Sequence, residues 1–309
     1  MKPSGIRKFF DIAATMDDVI SLGVGEPDFQ TPWGIRKAGI ESLQRGKTKY
    51  TSNWGLMELR KEIATYLDRK YSLEYNPENE ILVTVGGSEA IDAAIRAIVE
   101  PGDEVIIPQP SYVCYEPITA LAGGKPVIVN TKSENDFKLT ADELKSAITE
   151  KTKVLILPYP SNPTGAIMER EDLEKIAKVL KGTDIIVLSD EIYAELTFGG
   201  KTHISPASLD GMWERTVTVN GFSKAFSMTG WRLGYACGPK PIIDQITKIH
   251  QYAIMSSPTT SQYAAIEALK NCDEDVQYML KEYDMRRRMM VSGFNKIGLT
   301  CREPKGAFY

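Results

Sequence analysis

Between residues 81 and 236 the chain repeats one pattern, a short apolar run followed by a stretch of helical periodicity. Runs such as ILVTV (81–85), VLIL (154–157) and IIVL (185–188) are apolar almost throughout, not at every second position. A strand with one wet face shows alternation; a strand covered on both faces does not. Such strands, alternating with helices, belong to βαβ units and a mostly parallel sheet with helices on both sides. Strands are predicted at 81–85, 104–107, 126–129, 154–157, 185–188, 216–219 and 233–236. Helices are predicted at 88–99, 112–121, 140–148 and 169–180, with helical patterns from 241 onward. Thr140 and Glu143 have the spacing of a capping box. Residues before about 40 and after about 255 fall outside the alternation and are expected to contribute to a second lobe.

Charge and residue usage exclude several classes. A net charge of −4 over 309 residues, with no block of like charge, argues against a nucleic-acid partner. The opening MKPSGIRKFFDIAATMDDV lacks the apolar run of a signal peptide, and no stretch approaches the roughly 20 apolar residues of a membrane span. A cytoplasmic protein is expected. The four cysteines (Cys114, Cys237, Cys272, Cys301) are single, without a CxxC pair, so no metal is expected. Only two histidines are present, His203 and His250, too few for a histidine-rich metal site or HExxH chemistry. A surface or packing role is expected for both.

Three partial motifs fail on inspection. Gly23-Val24-Gly25 lacks the last glycine of a dinucleotide loop, because Asp28 stands there. Gly46-Lys47-Thr48 would need a glycine where Glu41 stands to be a P-loop. Gly221-Phe222-Ser223-Lys224-Ala225 misses the GxSxG elbow at its final residue.

Four other segments carry chemistry together. Gly86-Gly87-Ser88-Glu89 follows a strand and opens a helix, where unpaired amides and the helix dipole favour an anion. The alternative is an ordinary helix cap by Ser88. Tyr159-Pro160-Ser161-Asn162-Pro163-Thr164-Gly165 also follows a strand, and its prolines and glycine present Asn162 at the carboxyl edge of the sheet, where open α/β sheets bind ligands. Asp190 and Tyr193 follow the run IIVL; a carboxylate there needs a cation or donor as partner. Lys224 lies among small and aromatic residues, and a partly desolvated amine is nucleophilic toward an aldehyde. Arg232, eight residues on, can fork onto phosphate oxygens.

In this order and at these gaps, SNPTG, SDEIY and FSKAFSMTGWRLGY resemble the class I/II aminotransferases of pyridoxal-phosphate (PLP) fold type I, in the aspartate and aromatic branch. SLGVGEPDFQTP and KTKYTSNWG are similar to the same family, and the likeness runs along the whole chain. The resemblance implies an α/β fold with a mostly parallel seven-stranded sheet plus a smaller α+β domain. It implies an N-terminal arm and part of the small domain in 1–40, a large PLP-binding domain in 41–255, and linking helices with the start of the small domain in 256–309. Lys224 would form the Schiff base with PLP and move the proton, and Asp190 would pair with the pyridinium nitrogen. Tyr193 and Asn162 would bond the phenolic oxygen, and Tyr112 would stack on the ring. The amides of Gly87, Ser88 and Glu89, with Ser223 and Arg232, would hold the phosphate. Tyr50 would reach the phosphate of the other subunit of a homodimer. Gly25 and Asn162 would lie near the substrate, an amino acid or 2-oxo acid. In the resembled family a further segment follows GAFY and carries the arginine that grips the substrate carboxylate, so this chain is expected to be a piece of a longer one. A β-eliminating C–S lyase of the same fold and a non-catalytic PLP-binding regulator are the alternatives.

Overall fold

Every predicted apolar run becomes a strand in the computed structural model, which describes residues 25–309 together with 12, 15, 16, 18 and 23. Most of the expected N-terminal arm ahead of residue 25 lies outside the described residues. The strands are β1 (Ile81–Thr84), β2 (Glu104–Gln109), β3 (Lys125–Asn130), β4 (Thr152–Leu157), β5 (Ile186–Asp190), β6 (Thr216–Gly221) and β7 (Gly234–Cys237). They form one sheet in the order β1-β7-β6-β5-β4-β2-β3. From β3 across to β6 all neighbours are parallel. β7 runs antiparallel to both β6 and β1.

The helices are α1 (Trp33–Gln44), α2 (Met57–Tyr71), α3 (Gly86–Ile98), α4 (Tyr115–Leu121), α5 (Ala141–Ala147), α6 (Arg170–Leu180), α7 (Lys240–Ala253), α8 (Thr259–Asn271) and α9 (Asp273–Lys296). Their periodicity explains which face they bury. On α6, Leu173, Ile176 and Leu180 recur at helical spacing and are all buried. The Thr140–Glu143 capping box forms at the start of α5 as predicted.

Period-two alternation along the strands divides the core into layers. On β4, Val154 and Ile156 join α3, α4 and α7, while Leu155 and Leu157 join α5 and α6. On β1, Leu82 faces the α3 side, whereas Ile81 and Val83 face α2, α8 and Ile35 of α1. Both faces of β1 and β4 are therefore dry, which is why their runs lack alternation. Burying one such Leu or Ile side chain contributes about 1.5–3 kcal/mol. Among the described residues no helix is long and apolar enough to cross a membrane.

One glycine makes the inserted antiparallel strand possible. A Cβ on Gly234 would lie 2.6 Å from the backbone of Gly86 and Gly87. β7 can pass beneath the start of α3 only without a side chain at that point.

After α9 the chain returns to the sheet edge. Gly165 O accepts from the amides of Lys305 and Gly306, and Ala307 N donates to Leu196 O. This carries Phe308 and Tyr309 into the neighbourhood of Tyr193.

Candidate active site

Strand register brings the four chemical segments to one edge. Leu157 pairs with Ser189 and Asp190 with Val219, so β4, β5 and β6 end together. Thr84 and Gly221 both pair with Gly234, so β1 ends at that edge and β7 begins there. The segments 86–89, 159–165, 190–193 and 222–232 therefore leave the sheet side by side, at the carboxyl end where open α/β sheets take ligands.

Asp190, the last residue of β5, is buried at 7% exposure. Its Oδ2 accepts from the Tyr115 hydroxyl at 2.7 Å and its Oδ1 from Ile192 N at 3.2 Å. Among the described residues no lysine, arginine or histidine is within ion-pair distance of it. Burial pushes the Asp190 carboxyl above the usual carboxylate range, while Tyr115 and the Ile192 amide pull it back. A buried carboxylate with donors but no cation is suited to a cationic ligand atom.

Lys224, in the loop after β6, is partly buried and its Nζ donates to Gly25 O at 2.5 Å. The amine also lies 5.8 Å from the Tyr193 ring centroid and 5.4 Å from that of Phe308. Burial lowers its pKa below the ordinary lysine value; Glu26 opposes that shift and Arg232 adds to it. A larger neutral fraction makes the amine a better nucleophile and proton carrier.

The start of α3 offers unpaired amides to an anion. Helix geometry begins at Gly86, and the Gly87, Ser88 and Glu89 amides lie in the first turn, where no intrahelical acceptor is available. The Ser88 cap does not form: Val85 holds the cap position without a side-chain bond. Instead the Glu89 carboxylate folds back to accept from Val85 N. The exposed Arg232 guanidinium lies over Gly86, where a Cβ would meet its Nη2 at 2.7 Å. Arg232 has φ +53° and donates to Thr229 O at 3.0 Å, which aims the guanidinium back at α3. Ser223 is buried in the loop between β6 and Lys224.

Asn162 Nδ2 and the Tyr193 hydroxyl converge on one phenolic oxygen, at 3.0 and 2.8 Å; it belongs to Tyr309. Gly25 lies against the same hydroxyl, where a Cβ would come within 1.9 Å of it. Tyr112 is 37% exposed just ahead of α4, with its ring edge-on to Tyr115 at 5.8 Å. Because α4 starts at Tyr115 and not at 112, Tyr112 stands free of the helix. Tyr50 is 79% exposed and is not brought to these groups within one chain.

Several participants escape sequence reasoning. Tyr115, which holds Asp190, is 75 residues from it. Phe308 and Tyr309 reach the site only through the return of the chain after α9. Both histidines are buried against carboxylates, which corrects the surface alternative. His203 Nε2 is 2.7 Å from Glu191, whose other oxygen accepts from Ser189 and Ser205. His250 Nδ1 is 2.5 Å from Glu89 Oε1. The sole advance signal was the scarcity of histidine itself.

Comparison with known proteins places this geometry. The family model for aminotransferase class I and II matches residues 17–309. The Bacillus subtilis protein named "Putative aminotransferase YugH" is 56% identical over 309 residues, covering 100% of this chain and 80% of that one. The aspartate aminotransferase of Pyrococcus abyssi is 49% identical, again over 100% of this chain and 80% of its own length. The crystal structure of an aromatic aminotransferase from Pyrococcus horikoshii superposes with a TM-score of 0.92 at 45% identity, covering 98% of this chain and 81% of that one.

Proposed function

We propose that this chain, which belongs to the class I and II aminotransferase family and is a PLP-dependent transaminase, carries its chemistry on Lys224. Asp190 is the observation that carries this reading: a buried carboxylate at a strand end with no cation of its own, on the same edge as a partly desolvated lysine. The donor set fits the cofactor from end to end. Asp190 suits its ring nitrogen, Asn162 and Tyr193 its phenolic oxygen, and Tyr112 its ring face. The first turn of α3 with Ser223 and Arg232 suits its phosphate. That Asn162 and Tyr193 already share one phenolic oxygen supports their joint assignment.

When bound, PLP supplies an electron sink for negative charge developing at the substrate α-carbon. The residues do the rest. Lys224 Nζ would hold the cofactor and is placed to carry the proton that leaves the substrate carbon. Asp190 would hold the ring nitrogen and favour its protonated form, which would keep the ring electron-poor. Tyr193 and Asn162 would hold the phenolic oxygen, and Arg232 with the amides of the first turn of α3 would fix the phosphate, orienting the cofactor toward Lys224.

Tyr50 is read as reaching the phosphate of the partner subunit in a homodimer with shared sites. Its exposure, with Leu43 and Tyr252 also exposed, supports that reading. A solution mass of one chain with full activity would remove it.

Relatives named for aspartate and for aromatic amino acids support an L-amino acid of one of those two kinds as donor. The test is an absorbance titration of the PLP-loaded protein with single amino acids and no oxo acid. Conversion to the pyridoxamine spectrum, reversed by a 2-oxo acid, is expected, with aspartate or an aromatic amino acid the most effective. Accumulation of pyruvate and ammonia without that conversion would favour the lyase.

A further inference from the structure

The turn that presents Tyr193 is gripped from behind by a carboxylate. Ala194 N donates to Glu191 O at 2.9 Å and Leu196 N to Tyr193 O at 2.8 Å, so Glu195 lies inside the same turn as Tyr193. From residue 192 to 196 it is the only charged side chain. Tyr193 meets the Lys224 amine, Phe308 and Tyr309. Glu195 meets α2 instead. Its Oε1 accepts from the hydroxyls of Tyr66 and Tyr71, the latter at 2.7 Å, and its Oε2 from Lys70 Nζ at 3.3 Å.

Three donors on a side chain that is 10% exposed make this more than a surface ion pair. Burial holds both phenols far above the ordinary tyrosine range, so each keeps its proton and donates. Without the carboxylate the Tyr66 hydroxyl would be left buried and without its acceptor. Lys70 also reaches Asp273, the first residue of α9, at 3.5 Å, and Arg69 pairs with the same carboxylate. Glu191, at the other end of the turn, is met by Ser189, Ser205 and His203, none of them on α2. Glu195 is therefore the side chain by which the turn is tied to α2 and, through Lys70, to the start of α9.

We infer that Glu195 is a positioning residue for Tyr193: clamped by Tyr66, Tyr71 and Lys70, it fixes the turn that aims the Tyr193 hydroxyl at the oxygen it shares with Asn162. This rests on the reading of Tyr193 as a partner of the cofactor's phenolic oxygen.

The test loads the full chain with PLP and follows the bound cofactor's absorbance against pH, alongside PLP affinity of the cofactor-free chain. A hydroxyl that donates to an ionised phenolic oxygen favours the ionised form, so losing it moves the midpoint up. The ionisable groups around Tyr193 are Tyr309, Asp190, Tyr112 and Lys224, and Glu195 bonds none of them. Tyr193→Phe is expected to raise the midpoint by about one pH unit and to weaken PLP binding about tenfold. Glu195→Ala is expected to do roughly half as much to the midpoint, and Glu195→Gln, whose amide oxygen can still accept from the two phenols, less than about 0.2 pH unit. Added to Tyr193→Phe, Glu195→Ala is expected to move the midpoint no further. A role in stability alone would lower the melting temperature and leave the midpoint in place. An unmoved midpoint in Glu195→Ala overturns the inference, and so does a full additional shift on the Tyr193→Phe background. Should Glu195→Ala not fold, the double variant Tyr66→Phe with Tyr71→Phe decides. It empties Oε1 while keeping both rings, and an unmoved midpoint there overturns the inference. If Tyr193→Phe itself leaves the midpoint unmoved, the reading of Tyr193 fails and takes the inference with it; if Tyr193→Phe moves it and Glu195→Ala does not, only the inference about Glu195 fails.

Discussion

Lys224→Ala is expected to abolish transamination, by at least about 10⁴-fold, or roughly 5.5 kcal/mol of transition-state stabilisation. No other side chain can substitute. Lys224 is the one amine in contact with Gly25 O and over the Tyr193 and Phe308 rings among the described residues. The variant still binds PLP, because the proposed phosphate cradle and Asp190 do not depend on the lysine. Borohydride reduction followed by peptide mass mapping separates the two functions. Wild type retains the cofactor covalently on the peptide carrying Lys224, and the variant loses it on denaturation. A small exogenous amine restores a little of the rate by taking over the proton transfer. Turnover within tenfold of wild type would refute the central assignment.

Lys224 stands out in sequence because its neighbours are unusual, aromatic and small residues around one charge followed by an arginine at a set distance, and the structure places it partly buried against Gly25 O. The sheet was legible for a similar reason. Runs such as ILVTV are too uniformly apolar to have a wet face, and Leu82 and Val83 indeed bury on opposite sides of the sheet. Strand order was not legible. β7 inserts between β1 and β6 because Gly234 can lie against Gly86 and Gly87, a contact between positions nearly 150 residues apart. Nothing local to GWRLGY distinguishes that glycine from the one four residues earlier, which a Cβ would leave in open space.

The supporting shell was hidden for the same reason. Tyr112 and Tyr115 are both phenols on one short segment, and only the placement of α4 decides which one holds Asp190. Sequence left His250 between a surface and a packing role; it is buried while Tyr252 is exposed, because two residues apart on a helix they face different ways. The residues read as touching the cofactor carry a local pattern, whereas residues that brace them, such as Tyr115, are chosen by packing at long range.

Asp190→Asn has opposite effects on the empty and the loaded protein. Burial raises the Asp190 pKa in the folded state, so the folded protein holds this proton more tightly than the unfolded chain does. The contribution of Asp190 to stability is fully present below the unfolded carboxyl's pKa and is lost as pH rises through the raised folded value. As pH rises through that raised value the cofactor-free wild type therefore takes on a destabilising buried charge, and Asp190→Asn removes it while keeping the side chain's shape. The cofactor-free variant melts above cofactor-free wild type at pH 8, and the gap closes as pH falls through the raised carboxyl value. Adding PLP reverses the order. Wild type gains about 2.7 kcal/mol at a concentration 100 times Kd, whereas the variant binds more weakly and gains less. Its turnover falls by about 10²–10⁴-fold, because a ring nitrogen without a carboxylate gives up its proton. Parallel melts with and without PLP at pH 5 and pH 8 test both halves. A cofactor-free variant less stable than wild type at pH 8 would mean that Tyr115 and the Ile192 amide already stabilise the ionised form, and that Asp190 is a structural acceptor and not a carboxylate held in reserve for a cation.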